Sequence, residues 1–228
     1  NTATQANPNL VPGEKAENEK KFCWFSPIGE MTKQWSAMSR YTFDADNFSM
    51  WQYLDVHSNV SSQLFRSPGV FNDAAHKNGV LTGAYYFIDW ASTVSSTSEA
   101  GKPLYELSKK ENGKFKYAKK LIQLMKYYGI DGMAFNPEGY FSSDLNTQFQ
   151  EFLAECHRIA TEEEDWHFHV DWYGYVSNSG SLTDGGSTLT ANHSNWFHND
   201  NLDQPVTDVY FLNYNWSESS LQTSVNVA

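Results

Sequence analysis

Cysteine is scarce in this chain: Cys23 and Cys156 are the only two among 228 residues, too few to build a disulfide framework. Cys23 sits in an apolar, strand-like run and Cys156 on the apolar face of a helical pattern, so both read as buried thiols. Basic residues are also few. Sixteen Lys and Arg stand against 27 Asp and Glu, a net charge of −11, which repels phosphate backbones and anionic membrane surfaces and argues against a nucleic-acid partner. No apolar run approaches the roughly 18 residues that a membrane-spanning helix needs. Internal repeats are absent. No methionine opens the chain, and its polar start, Asn1–Pro8, reads as a processed or trimmed N-terminus. That favours a secreted, periplasmic or cell-surface protein over a cytoplasmic one. Four Asn-x-Ser triplets, at Asn47, Asn59, Asn192 and Asn215, read as chance matches to the glycosylation acceptor.

Aromatic residues, by contrast, are plentiful: 16% of the chain, with 8 Trp and 13 Tyr. Rings beyond the needs of a core offer flat faces for stacking, and sugar rings present matching apolar faces. Residues 1–20 are polar and without periodicity and read as a flexible linker; residues 21–228 read as a catalytic barrel. Short apolar or aromatic runs recur at Phe22–Phe25, Trp51–Val56, Val80–Ile88, Met133–Phe135, Phe168–Val176 and Val209–Tyr214, each of strand length. Between several of them lie helical patterns. Phe115, Ala118, Leu121, Ile122 and Met125 share one helix face, with Gly129 as its cap. Leu145, Phe149, Phe152, Leu153, Cys156, Ile159 and Ala160 share another, entered through Ser142-Ser143-Asp144. A shorter helix is expected from about Gly69 to Asn78, stopping at Gly79.

Alternating strands and helices predict parallel βα units. The α/β fold expected is a TIM-type (β/α)8 barrel with about six units seen and its last ones expected to be missing, since a full barrel needs at least about 200–250 residues. The stretches 91–113 and 177–205, rich in Ser, Thr, Asn and Gly, follow strands and are expected as loops on the ligand-binding face.

The segment Gly129-Ile130-Asp131-Gly132-Met133-Ala134-Phe135-Asn136-Pro137-Glu138 carries the chemistry. It is a buried strand that ends on a carboxamide and a carboxyl group two positions apart. Alternation puts Ala134, Asn136 and Glu138 on one face. Pro137 lacks an N–H and suits the point where strand pairing stops. Most glycosidases pair an acid with a second carboxylate. Asn136 cannot be that nucleophile, but it can hold a substrate 2-acetamido group that attacks its own anomeric carbon while Glu138 serves as acid and base. His167, His169 and Asp171 share a strand face and resemble a metal-binding arrangement. The plainer reading, polar residues at a strand start, is preferred, and no metal or cofactor is expected. Trp172-Tyr173 and Phe211-Leu212-Asn213-Tyr214-Asn215-Trp216 place aromatic and amide groups at two further strand ends, a stacking and hydrogen-bonding wall in which part of the rings are core.

Taken in order and spacing, these segments resemble the endo-β-N-acetylglucosaminidases of glycoside hydrolase family 85 from about Phe22 to Trp216. The resemblance rests on Phe22-Cys23-Trp24-Phe25, Trp51-Gln52-Tyr53-Leu54-Asp55, Ala74–Val80, Gly83–Trp90, Gly129–Glu138, Asp171-Trp172-Tyr173 and Phe211–Trp216. It implies a TIM-barrel domain that cleaves the N,N'-diacetylchitobiose core of N-linked glycans with retention, through an oxazoline. Glu138 would be the general acid/base and Asn136 the residue orienting the acetamide. Tyr173, Trp216, Asn213, Trp172, Asp89 and Trp90 would line the substrate site. Asp89-Trp90 stands where the family has Glu-Trp, a departure that bears on glycan preference. The alternatives are a family 18-like chitinase, whose Asp-rich signature is broken by Asn136, and a non-catalytic carbohydrate-binding barrel.

Overall fold

The computed structural model describes residues 23–26, 49–59, 67, 69–88, 93–182 and 186–228. The expected linker, residues 1–20, lies outside them. All of the expected strand runs contribute to one six-stranded sheet: β1 (Cys23–Ser26), β2 (Val56–Asn59), β3 (Leu81–Ile88), β6 (Gly132–Pro137), β7 (His169–Tyr173) and β8 (Val209–Phe211). Two-residue strands, β4 (Lys110–Glu111) and β5 (Lys114–Phe115), make a separate antiparallel hairpin. In the main sheet the strands neighbour one another in chain order. Cys23 pairs with Val56, Val56 with Leu81 and Asp171 with Val209, all in parallel register. Strand order that never reverses is the winding of a (β/α)8 barrel; a doubly wound sheet would turn back at a switch point.

The helices are α1 (Gly69–Lys77), α2 (Lys102–Leu107), α3 (Ala118–Tyr128), α4 (Ser143–Arg158) and α5 (Glu218–Val227). The chain falls into two compact units, with the boundary running through β3, α3 and β6. In the first, α1 lays Phe71 and Ala75 against Leu54 and Val80, with Trp51 packed on Phe71 at 5.0 Å between ring centroids. Helix α1 ends because Gly79 adopts φ 77°, which a side chain disfavours, and Val80 N–H then closes back on Ala75 O at 2.9 Å. Gly129 ends α3 in the same way, with φ 66° and Ile130 N–H donating to Met125 O at 2.9 Å. The foot of β6 is tied down by Asp131, whose Oδ2 accepts from Thr82 N–H and lies 2.7 Å from His76 Nε2.

In the second unit α4 buries the whole expected face: Leu145, Phe149, Phe152, Leu153 and Cys156, continued by Ile159 and Ala160 in one π-helical turn. Phe135 meets Phe149 edge-on at 5.3 Å, and Trp172 lies flat on Trp196 at 3.8 Å. Burying several such rings, at ~1.5–3 kcal/mol each, fixes the outward face of β6 and β7 against the helix layer. Asp144 stands in the first turn of α4, where the unpaired N–H groups of the helix start favour a carboxylate.

Several boundaries differ from the sequence expectations. Trp51–Tyr53 is a 3-10 turn and pairing starts only at Val56. Phe115 belongs to the β5 hairpin, and its ring still reaches the core by packing edge-on against Phe152. Strand β7 stops at Tyr173 and β8 at Phe211, short of Val176 and Tyr214. The segment 91–113 is more than loop, since it holds α2 and half of the hairpin. After Trp216 the chain forms a helix where none was expected, started by a capping box between Ser217 and Ser220. Cys156 is fully buried, whereas Cys23 is only partly so; neither forms a disulfide.

Candidate active site

Strand β6 is apolar and sealed until its last residues, and that change positions the site. Met133, Ala134 and Phe135 are buried, whereas Asn136 and Glu138 are each partly open. Because Phe135 points at α4, alternation sends Asn136 and Glu138 to the opposite face of the sheet. The two side chains meet: Asn136 Nδ2 donates to Glu138 Oε1 at 3.1 Å. Glu138 N–H donates to Ile88 O at 3.3 Å, so the chain is still held at the end of β3 when it presents the carboxyl group. Asn136 Oδ1 is buried and has no hydrogen-bond partner among the described residues. A buried acceptor left without a donor costs roughly 1–3 kcal/mol. An ordered water or a ligand's N–H can complete such a group.

Tyr173 ends β7 on the face opposite Trp172, the same side as the Asn136–Glu138 pair, and its ring stacks on Tyr175 at 5.7 Å. Asn213 is only half-buried. Its N–H donates to Gly186 O, and its Oδ1 accepts from Tyr214 N–H at 2.7 Å, so its side chain shapes the turn after β8. Trp216 is 53% exposed just ahead of α5. Asp89 and Trp90 lie outside the described residues.

Trp172 corrects the sequence reading. It is 0% exposed, clamped between Trp196 and the Phe135–Phe149 pair, and offers a sugar no face. It stands on the helix-facing side of β7, and sequence adjacency to Tyr173 could not tell which of two alternating neighbours faces the site. Asp131, the carboxylate that a chitinase-like reading would recruit, is bonded to His76 and Thr82 at the far end of β6. A depression of about 280 Å³ among Lys110, Glu151, Arg158 and Leu202 includes none of the candidate residues.

The imidazoles at His167 and His169 assemble differently from the sequence expectation. His169 pairs with Asp171, and the carboxylate beside both rings is Asp208, which comes from the turn before β8. Nothing in the sequence spacing marks Asp208; only the β7–β8 pairing brings it there. No helix among the described residues is long and apolar enough to cross a membrane.

Curated relatives come from animals and a plant. The "Cytosolic endo-beta-N-acetylglucosaminidase" of Danio rerio is 28% identical over 181 residues, covering 77% of this chain and 22% of that protein. Its namesake in Gallus gallus is 26% identical over 192 residues, covering 79% and 23%. "Cytosolic endo-beta-N-acetylglucosaminidase 2" of Arabidopsis thaliana is 25% identical over 179 residues, covering 78% and 23%. The chain thus spans less than a quarter of these relatives. All three names say cytosolic, which gives no support to the exported location read from the N-terminus. Among solved structures, the Endo-D glycoside hydrolase domain from Streptococcus pneumoniae R6 superposes with a TM-score of 0.78 at 25% identity, covering 100% of this chain and 35% of that one. The family model described as glycosyl hydrolase family 85 matches residues 30–228, and the chain belongs to that family.

Proposed function

We propose that this chain carries the catalytic pair of an endo-β-N-acetylglucosaminidase that cleaves the N,N'-diacetylchitobiose core of N-linked glycans with retention. The reading rests on one observation: the carboxamide of Asn136 touches the Glu138 carboxyl at 3.1 Å while its own Oδ1 is buried without a partner. In the first step the substrate's 2-acetamido oxygen attacks the anomeric carbon. Its N–H is held by Asn136 Oδ1, and Glu138 gives its proton to the departing glycosidic oxygen. The bond to the leaving sugar breaks as the oxazoline ring closes. Glu138, now a carboxylate, takes a proton from water. That water opens the oxazoline at the same carbon, the acetamide re-forms, and two inversions give net retention.

Tyr173 and Trp216 are proposed to line the sugar site, one beside the reacting centre and one as an exposed stacking face. The relatives' names carry over to a proposed cytoplasmic location and to glycans as substrate. Incubation of the protein with an N-glycosylated protein, followed by mass analysis, tests the reading. The expected product keeps one N-acetylglucosamine on asparagine. Release of the entire glycan would refute it. Glu138→Gln should abolish turnover and keep glycan affinity; a purely binding barrel would have no turnover to lose.

A further inference from the structure

At the other end of β7 lies a second cluster of chemistry-bearing side chains, remote in sequence and role from Asn136 and Glu138. We propose that His167, His169 and Asp208 form a binding site for a first-row divalent cation of the zinc type, a structural site that is separate from hydrolysis. The three residues each offer a ligand atom, and these atoms lie within 4.8 Å of one another. Two imidazoles and one carboxylate are the donor set that zinc and its neighbours prefer.

The surroundings hold these ligands as a site requires. Asp208 is fixed from behind. Its Oδ2 accepts from Val170 N–H at 2.7 Å and lies 3.0 Å from His157 Nε2, while its Oδ1 faces His167 Nε2 at 3.8 Å. Asp208 N–H also donates to Val170 O, so backbone and side chain together lock it to β7. His157 is itself anchored, its Nδ1 lying 3.1 Å from Leu153 O. His169 is buried and ion-paired with the buried Asp171, the carboxylate–histidine arrangement that orients metal ligands elsewhere. His167 is the exposed member, its side chain 65% accessible.

Ligands at ~2.0–2.2 Å from a tetrahedral ion sit about 3.3–3.5 Å apart. Closing from the observed spread therefore takes a shift of about 1.5 Å, within reach of an exposed histidine turning about its side-chain bonds. The fourth position would face solvent on the side of His167. The ion would clip the start of β7 to the turn before β8, adding to the strand pairing and to the Asp208–Val170 hydrogen bonds that already join them.

The test uses the tag-free chain stripped with EDTA and titrated with Zn²⁺ by calorimetry, with Co²⁺ absorption reporting coordination. One equivalent should bind and raise the melting temperature. Outer-shell partners alone are commonly worth about 10–100-fold in affinity, so His167→Ala should weaken binding at least tenfold. That variant alters an exposed side chain and leaves the fold intact. His198→Ala serves as control, since His198 is exposed and stands apart from the cluster, near Asp200. The proposal fails if no zinc binds, if His167→Ala binds as the unaltered chain does, or if His198→Ala weakens binding equally.

Discussion

Asn136→Ala separates a catalytic carboxamide from a structural one, because the two roles predict opposite signs for stability. In the folded protein Asn136 makes one side-chain hydrogen bond, from Nδ2 to Glu138 at 3.1 Å, and leaves Oδ1 buried without a partner. Losing the bond costs about 0.5–1.5 kcal/mol, while removing the unpartnered oxygen recovers about 1–3 kcal/mol. The variant should therefore fall between about 0.5 kcal/mol less stable and about 2.5 kcal/mol more stable than the unaltered chain. Activity should move the other way. As the acetamide cyclises its N–H becomes more acidic, and a hydrogen bond to a group gaining charge is worth about 1.5–3 kcal/mol. That corresponds to about a 10- to 150-fold loss in rate.

Denaturant unfolding measures the first quantity and mass-resolved deglycosylation the second. A preformed sugar oxazoline supplies the intermediate directly and bypasses the step that Asn136 assists, so the variant should consume it at close to the ordinary rate. Two results would refute the reasoning. One is destabilisation beyond about 2 kcal/mol with activity falling in parallel, which marks a strand-end structural residue. The other is equal loss on glycan and oxazoline.

Three other outcomes follow from the same geometry. Trp172→Ala should cost about 3–5 kcal/mol by opening a cavity in the Phe135–Phe149–Trp196 cluster. Trp216→Ala should leave stability within ~0.5 kcal/mol and lower glycan affinity on the scale of ring stacking, ~0.5–1.5 kcal/mol. Paired unfolding and binding curves check both. His57 is fully buried, and desolvation pulls its pKa down to about 4 from 6.5. The unfolded chain then takes up a proton that the folded chain refuses. Stability is complete above pH 6.5 and declines as pH falls toward 4, by about 3 kcal/mol in all. His57→Phe should flatten that acid limb; equal slopes with and without the imidazole would contradict the burial argument.

The sequence was most legible where one face of an element is buried and the period is long enough to count. Every residue of the face expected on α4 is buried, because seven apolar positions repeating at helical spacing leave one consistent orientation. The Asn136–Glu138 contact was legible for the same reason at period two, since Phe135, the residue just before them, faces the helix layer. Short strands carried less information. Trp172 and Tyr173 are neighbours of like chemistry, and choosing the outward one required knowing that Trp196, 24 residues later, would lie on Trp172. Asp208 was illegible altogether. Its role depends on β7 and β8 pairing across more than 30 intervening residues, and a lone aspartate before a strand carries no periodic signal. The division is physical. Local periodicity reports which way a side chain faces, and only tertiary pairing reports what it meets there. Side-chain pairs held on one strand can therefore be read from sequence, whereas clusters assembled from several strands and turns become visible only when the sheet is built.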